Sequence, residues 1–157
     1  MITFGNLRPM NSANDKLLLY YDPNEPNHVG VQTAPEGATT ALWNGDGQPP
    51  GNIYLIHSGQ MEQGTLLLTM SDDKPNSPVY MEKWLSTNSD PDPRQVWIPG
   101  YWEGQERTFV TLKGNILQAS KINEASTVIV GDYPENNAHD RKPKTPGQIW
   151  LSSSKSR

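Results

Sequence analysis

The sequence predicts an all-β fold, on three observations. Fourteen prolines and 13 glycines in 157 residues interrupt the chain too often for long helices. Between these breaks lie short apolar and β-branched runs of the kind that form half-buried strands. Tryptophan also recurs at a near-constant interval: Trp43, Trp97 and Trp150 are 54 and 53 residues apart.

Other landmarks keep the same period. Leu18, Leu67 and Ile116 are spaced 49 and 49, and Val29, Val79 and Val128 are spaced 50 and 49. In order along the chain, the first unit offers "ITF" at 2–4, "LLLYY" at 17–21, "HVGV" at 28–31 and the segment around Trp43. The second offers "NIYLIH" at 52–57, "LLLTM" at 66–70, "PVYM" at 78–81 and the segment around Trp97. The third offers "TFVTL" at 108–112, "NILQA" at 115–119, "TVIV" at 127–130 and the segment around Trp150. Each unit thus reads as four short strands separated by turn residues, with boundaries near 1–48, 49–103 and 104–157. A four-residue strand cannot bury a face by itself, but three related units can close a barrel and cap it. Three repeats of four strands with pseudo-threefold symmetry, in one domain with one core, is the β-trefoil pattern. In it the first and fourth strands of each unit build the barrel, and the second and third form hairpins that cap it. The three tryptophans then occupy equivalent core positions.

Composition narrows the partners. The net charge is −4 with both signs interspersed, and no basic stripe suggests nucleic acid. Cysteine is absent, which favours a reducing compartment. The first residues, "MITFGNLRPMNSANDK", lack the basic and apolar regions of a secretory leader. No apolar stretch approaches the length of a membrane span. A cytoplasmic monomer with no membrane partner is the expectation.

The pieces "RQVW" and "GQIW" match the Q-x-W signature of ricin-B-type trefoils. With no cysteine and no leader, the chain resembles the fungal fruiting-body trefoils, which comprise cytoplasmic lectins and protease inhibitors of the mycocypin and cospin type. The first repeat departs from the signature, reading "TALW" with Ala41 in the glutamine position. The fold does not choose between the two activities.

A ricin-B-type sugar site requires an Asp just after the apolar run, to accept hydrogen bonds from two sugar hydroxyls, and a neighbouring aromatic to stack on the ring. The runs "LLLYY", "LLLTM" and "ILQAS" contain no Asp; Asp22 and Asp72 come later, where the hairpins turn. Tyr80, Trp84, Tyr101, Trp102 and Tyr133 remain as candidate exposed aromatics, with Asp132 beside Tyr133 as a polar partner. These leave a noncanonical sugar site as an alternative, set against the plainer reading that the rings pack under the barrel.

No enzyme is expected. His28, His57 and His139 fall in different repeats without metal-ligand spacing, so neither a metal nor a cofactor is implied. No G-x-S-x-G, H-E-x-x-H or P-loop motif is present, and a thiol nucleophile is impossible. Asp72, Asp73, Asp90 and Asp92 sit in Pro-rich loops, where a solvated surface explains them.

The most distinctive loop is "DPNEPNH": Asp22, Pro23, Asn24, Glu25, Pro26, Asn27 and His28. It joins the second and third strands of the first repeat, and the equivalent tips are 71–77 and 121–126. Two prolines fix φ at their own positions and push Asp22 and Glu25 toward extended conformations. The sequence therefore predicts a stiff, extended, projecting segment. A protease binds its substrate as an extended strand, and a loop held in that shape loses little entropy on docking. The resemblance to cospin-like serine protease inhibitors points the same way. On this reading the partner is a trypsin-type serine protease, with Asn27 in the specificity pocket. A trypsin pocket prefers Arg or Lys, so an asparaginyl endopeptidase is an alternative target. The loop at 8–16, "RPMNSANDK", flexible and polar with Asn11 and Asn14, is the candidate for papain-like proteases, by resemblance to mycocypins. Lys74 is a poor contact because Pro75 follows it, and Arg94 runs directly into the core Trp97 segment.

Overall fold

The computed structural model describes residues 2–25, 28–48, 52–56, 62–84, 92–135 and 140–154. The described strands fall into three sets. The first holds β1 (Ile2–Gly5), β2 (Leu7–Pro9), β3 (Leu17–Asp22), β4 (His28–Thr33) and β5 (Trp43–Gln48). The second holds β6 (Asn52–Ile56), β7 (Leu66–Met70), β8 (Val79–Lys83) and β9 (Ile98–Glu103). The third holds β10 (Glu106–Val110), β11 (Ile116–Ala119), β12 (Ser126–Gly131) and β13 (Trp150–Ser152).

β1 and β2 act together as one bent barrel strand. Gly5 has a left-handed φ of +68° and its α-carbon lies against Ser153, so a side chain there would be both strained and crowded. At the bend, the Asn6 N–H donates to Ser153 Oγ (2.8 Å), its carbonyl accepts from Ser153 N–H (3.0 Å), and its side chain donates to Ala41 O (2.8 Å). The chain thereby crosses from pairing with β5 to pairing with β13. The barrel continues β5–β6, β9–β10 and β10–β13, with β6 lying beside β9.

Three hairpins, β3–β4, β7–β8 and β11–β12, cap one end. Their contacts follow a cyclic rule. Val29, Val79 and Val128 are equivalent, so the residues before them and after them are equivalent too. His28 pairs with Tyr80, Pro78 with Ile129, and Thr127 with Gly30. In each case the residue before the valine of one hairpin meets the residue after the valine of the next.

The three repeat tryptophans are wholly buried, and each indole donates to the carbonyl of an equivalent residue: Trp43 to Leu19 (2.9 Å), Trp97 to Leu68 (3.1 Å) and Trp150 to Leu117 (3.2 Å). This satisfies the one polar atom of each ring inside the core. Inside the barrel, Phe4 meets Phe109 and Trp102 edge-on, at 5.3 and 5.6 Å between ring centres.

Two expectations shift. Residues before Trp43 and Trp97 form 3-10 turns, Thr39–Ala41 and Pro93–Gln95, and the fourth strands begin at or after the tryptophan. Asp92 with Pro93 behind it caps the second turn, because its carboxylate accepts from Arg94 N–H at 3.0 Å. The strand read at 108–112 runs Glu106–Val110 instead; Thr111 leaves the ladder to bond Asn115.

Candidate functional site

The three hairpin tips occupy equivalent places but are secured differently. The 71–77 tip is bolted to the third repeat through Asp73. Its carboxylate accepts from Thr111 Oγ1 (2.6 Å), Lys113 N (3.0 Å) and Asn115 Nδ2 (2.9 Å). Asn76, at a left-handed φ of +73°, donates its N–H to Val130 O (2.7 Å). The 121–126 tip is tied to the first repeat, where Asn123 Oδ1 accepts from Ala13 N–H at 2.7 Å.

The 22–28 tip closes on itself. Asp22 Oδ1 accepts from Asn24 N–H (2.9 Å), an Asx turn, and Glu25 N–H donates to Asp22 O (3.2 Å). His28 N–H donates to Glu25 O (2.9 Å), and Asp22 pairs with His28 at the end of the hairpin. Among the described residues, the hydrogen bonds of Asp22, Asn24 and Glu25 stay within the loop. Pro23, Asn24, Glu25 and His28 are exposed. The predicted pocket residue Asn27, with Pro26, lies outside the described residues.

The expected extended segment is not what 22–25 forms. An i→i+3 bond from Glu25 to Asp22 is the mark of a β-turn, whereas extended residues three apart stand about 10 Å apart. Proline fixes only its own φ and biases its predecessor. Here the Asp22 side chain captures Asn24 N–H and turns the chain directly after Pro23.

His28 leads to a polar cluster in the second repeat. Its strand partner Tyr80 accepts at its hydroxyl from Arg94 Nη1 (2.9 Å). Arg94 Nη2 donates to Glu82 (3.0 Å) and Asp92 (2.8 Å). The Asp92 carboxyl is held below its ordinary value: burial alone raises it, but the side-chain bond, backbone N–H and charge of Arg94 together outweigh that. The Arg94 guanidinium is stabilised above its ordinary value, first by its bond to Asp92. This cluster clamps the 3-10 turn before Trp97 onto β8. The sequence reading placed Arg94 next to the core but missed its partners; the legible signal was the Asp-Pro-Arg order of a capped turn.

The other candidates separate clearly. Tyr133 is buried against Val110 and Ile116 and donates to Arg141 O, so the proposed Asp132–Tyr133 stacking pair is not formed. Trp84 packs half-buried on Leu67 and Val96. Trp102 joins the barrel core with Phe4, and Tyr101 lies under the ammonium of Lys142 at 5.6 Å. Lys74 is exposed beside Asp72. The 8–16 loop, expected to be flexible, is fastened through Met10 N–H to Ile149 O and through Ala13 to Asn123. His57 and His139 lie outside the described residues. Among the described residues, no three His, Asp or Glu side chains are grouped to hold a metal ion.

The Q-x-W glutamines are structural. Gln95 donates to Thr69 Oγ1 (3.3 Å) and Glu82 O, and Gln148 to Gln118 Oε1 (2.9 Å) and Asp132 O. In the first repeat the two matching positions hold Ala41 and Tyr20, both buried, so a polar pair is replaced by an apolar one.

No protein-family model matches the chain, and no curated protein sequence does. Solved structures do. The designed threefold-symmetric protein ThreeFoil superposes with a TM-score of 0.61 at 14% identity, over 94% of this chain and 95% of that one. A Polyporus squamosus lectin, solved bound to a human-type influenza-binding epitope, gives 0.63 at 10% identity over 94% of this chain. A mosquitocidal holotoxin gives 0.67 at 13% identity over 98% of this chain. The chain spans 47% of the lectin's length and 17% of the holotoxin's. At these identities the likeness is one of fold. With the cyclic cap and the repeated tryptophan bonds, it defines the class: the chain is a β-trefoil.

Proposed function

We propose that this trefoil is a non-catalytic protease inhibitor that docks through loop 22–28. The observation that supports it is the contrast among the tips. Two are fastened to neighbouring repeats, while in the first Pro23, Asn24 and Glu25 are exposed and the described hydrogen bonds of 22–25 stay within the loop. Such a loop offers its contacts without giving up bonds to the scaffold. Its internal order lowers the entropy lost on docking. The turn at 22–25 makes it a wedge rather than an added strand. A trypsin-type serine protease is the first target, by the resemblance to cospin-like inhibitors, with Asn27 as the contact residue; asparaginyl and papain-like proteases follow.

A second reading, glycan binding, draws on the cluster of Tyr80, Glu82, Asp92 and Arg94, which combines a half-buried ring with oriented polar groups. A lectin among the fold neighbours is consistent with it. One pair of experiments separates the two. Titration against trypsin is expected to remove activity at a fixed stoichiometric ratio, and passage over immobilised glycans to leave the protein unretained. Undiminished trypsin activity, together with retention that free sugar reverses, would overturn the inhibitor reading in favour of the second.

A further inference from the structure

The barrel end far from the hairpin cap holds an arginine that the inhibitor and glycan readings leave unused. Arg107, the second residue of β10, stands directly across from Trp102 in β9 and is only 2% exposed. Its guanidinium lies 5.0 Å from the centre of the Trp102 ring. Nη1 donates to two carbonyls of the same hairpin, Gly104 O (2.7 Å) and Glu106 O (2.9 Å). Nε and Nη2 are buried and have no partner among the described residues. Burial holds this guanidinium below its ordinary value, and no opposing charge restores it.

Neighbouring carboxylates do not supply the missing partner. Glu106 precedes Arg107 in the strand and so points to the other face, where it meets Lys142 at 3.5 Å. Glu103 is exposed at the rim and makes no ion pair with Arg107 among the described residues. Trp102, Glu103, Gly104 and Arg107 line a cavity of about 300 Å³.

The unpartnered pair is chemically informative. Nε–H and Nη2–H form one edge of the guanidinium, with two parallel donors spaced for the two oxygens of one planar anion. We infer that the Arg107 cavity is a binding site for a carboxylate group, received side-on by Nε and Nη2 beside the Trp102 ring. A monoanion suits the site better than phosphate, because Glu103 stands at the rim and the chain carries a net charge of −4. Nε and Nη2 lie beneath the wall of this cavity rather than on it, and a carboxylate reaches them when the exposed tip at Glu103–Gly104 moves aside. Gly104 sits there at a left-handed φ of +59°.

The test is a titration of the ¹⁵N-labelled full chain with sodium acetate, using acetamide, sodium chloride and inorganic phosphate as controls. The Arg107 Nε–H and Trp102 indole N–H resonances are followed. Acetate is expected to shift both saturably, acetamide and chloride to shift neither, and phosphate to bind more weakly. Arg107→Lys keeps the charge but loses the fork, and should weaken acetate by about tenfold or more. Its thermal unfolding is measured alongside, and Arg107→Gln provides a second variant if the first does not fold. No shift, a linear drift shared with chloride, or equal acetate binding in Arg107→Lys each means an adventitious ion only and overturns the proposal.

Discussion

Loops 22–28 and 71–77 stand at the same place in successive repeats, yet they are ordered by different means. Asp73 reaches out of its hairpin and gathers three donors from the third repeat. Asp22 reaches only to Asn24, two residues on. One aspartate welds repeats together; the other shapes a loop. Symmetry of the backbone therefore does not carry over to the role of each tip. Where bonds leave the tip, it is part of the scaffold. Where they stay inside, sequence change there affects what the loop meets more than whether the domain folds.

The contrast can be broken most severely from beneath. Trp97→Ala empties a fully buried site and leaves Leu68 O without its donor, at an expected cost of about 3–5 kcal/mol in denaturant unfolding. That loss should disturb every tip alike. Asp73→Ala strands the donors of Thr111, Lys113 and Asn115, and should cost about 1–3 kcal/mol by the same measurement. Asp22→Ala removes one exposed bond and should cost about 0.5–1 kcal/mol. If Asp22→Ala destabilises as much as Asp73→Ala, the difference between the tips is not real.

Smaller effects sharpen the picture. Replacing Pro23 and Pro26 by alanine frees the unfolded chain and should cost about 0.4–1 kcal/mol per site. Under the inhibitor reading it also weakens protease binding several-fold, read from residual trypsin activity. Asn27→Lys should strengthen trypsin binding and leave any glycan binding unchanged. Acid supplies the smallest effect. The Asp92 carboxyl is depressed in the folded chain, so its contribution to stability is present above the ordinary carboxylate range. That contribution is lost as pH falls through the lower folded value. The pair with Arg94 is partly exposed, which limits it to about 0–1 kcal/mol. Asp92→Asn should remove this component from the acid limb of a melting-temperature profile.

The repeat was legible because it is carried by large residues under one constraint. Trp43, Trp97 and Trp150 must each fill the same core position and bond the same carbonyl, so their spacing survives in the sequence. The turn at 22–25 was not legible from Pro23, because a side-chain acceptor at Asp22 decides it and competes with proline's extended bias. Tyr133 misled for a related reason. Its flanks, Asp132 and Pro134, read as surface, yet the ring folds back onto Val110 and Ile116, residues about twenty positions earlier. Arg94 and Arg107 were both visible as charges. Only the structure distinguishes the one that is fully paired from the one with an edge to spare.

The most direct test is hydrogen exchange of the three tips in the chain alone and mixed with trypsin. The account predicts new protection confined to 22–28, with exchange at 71–77 and 121–126 unchanged by trypsin. Protection gained at another tip, or no change at 22–28 in the mixture, would contradict it.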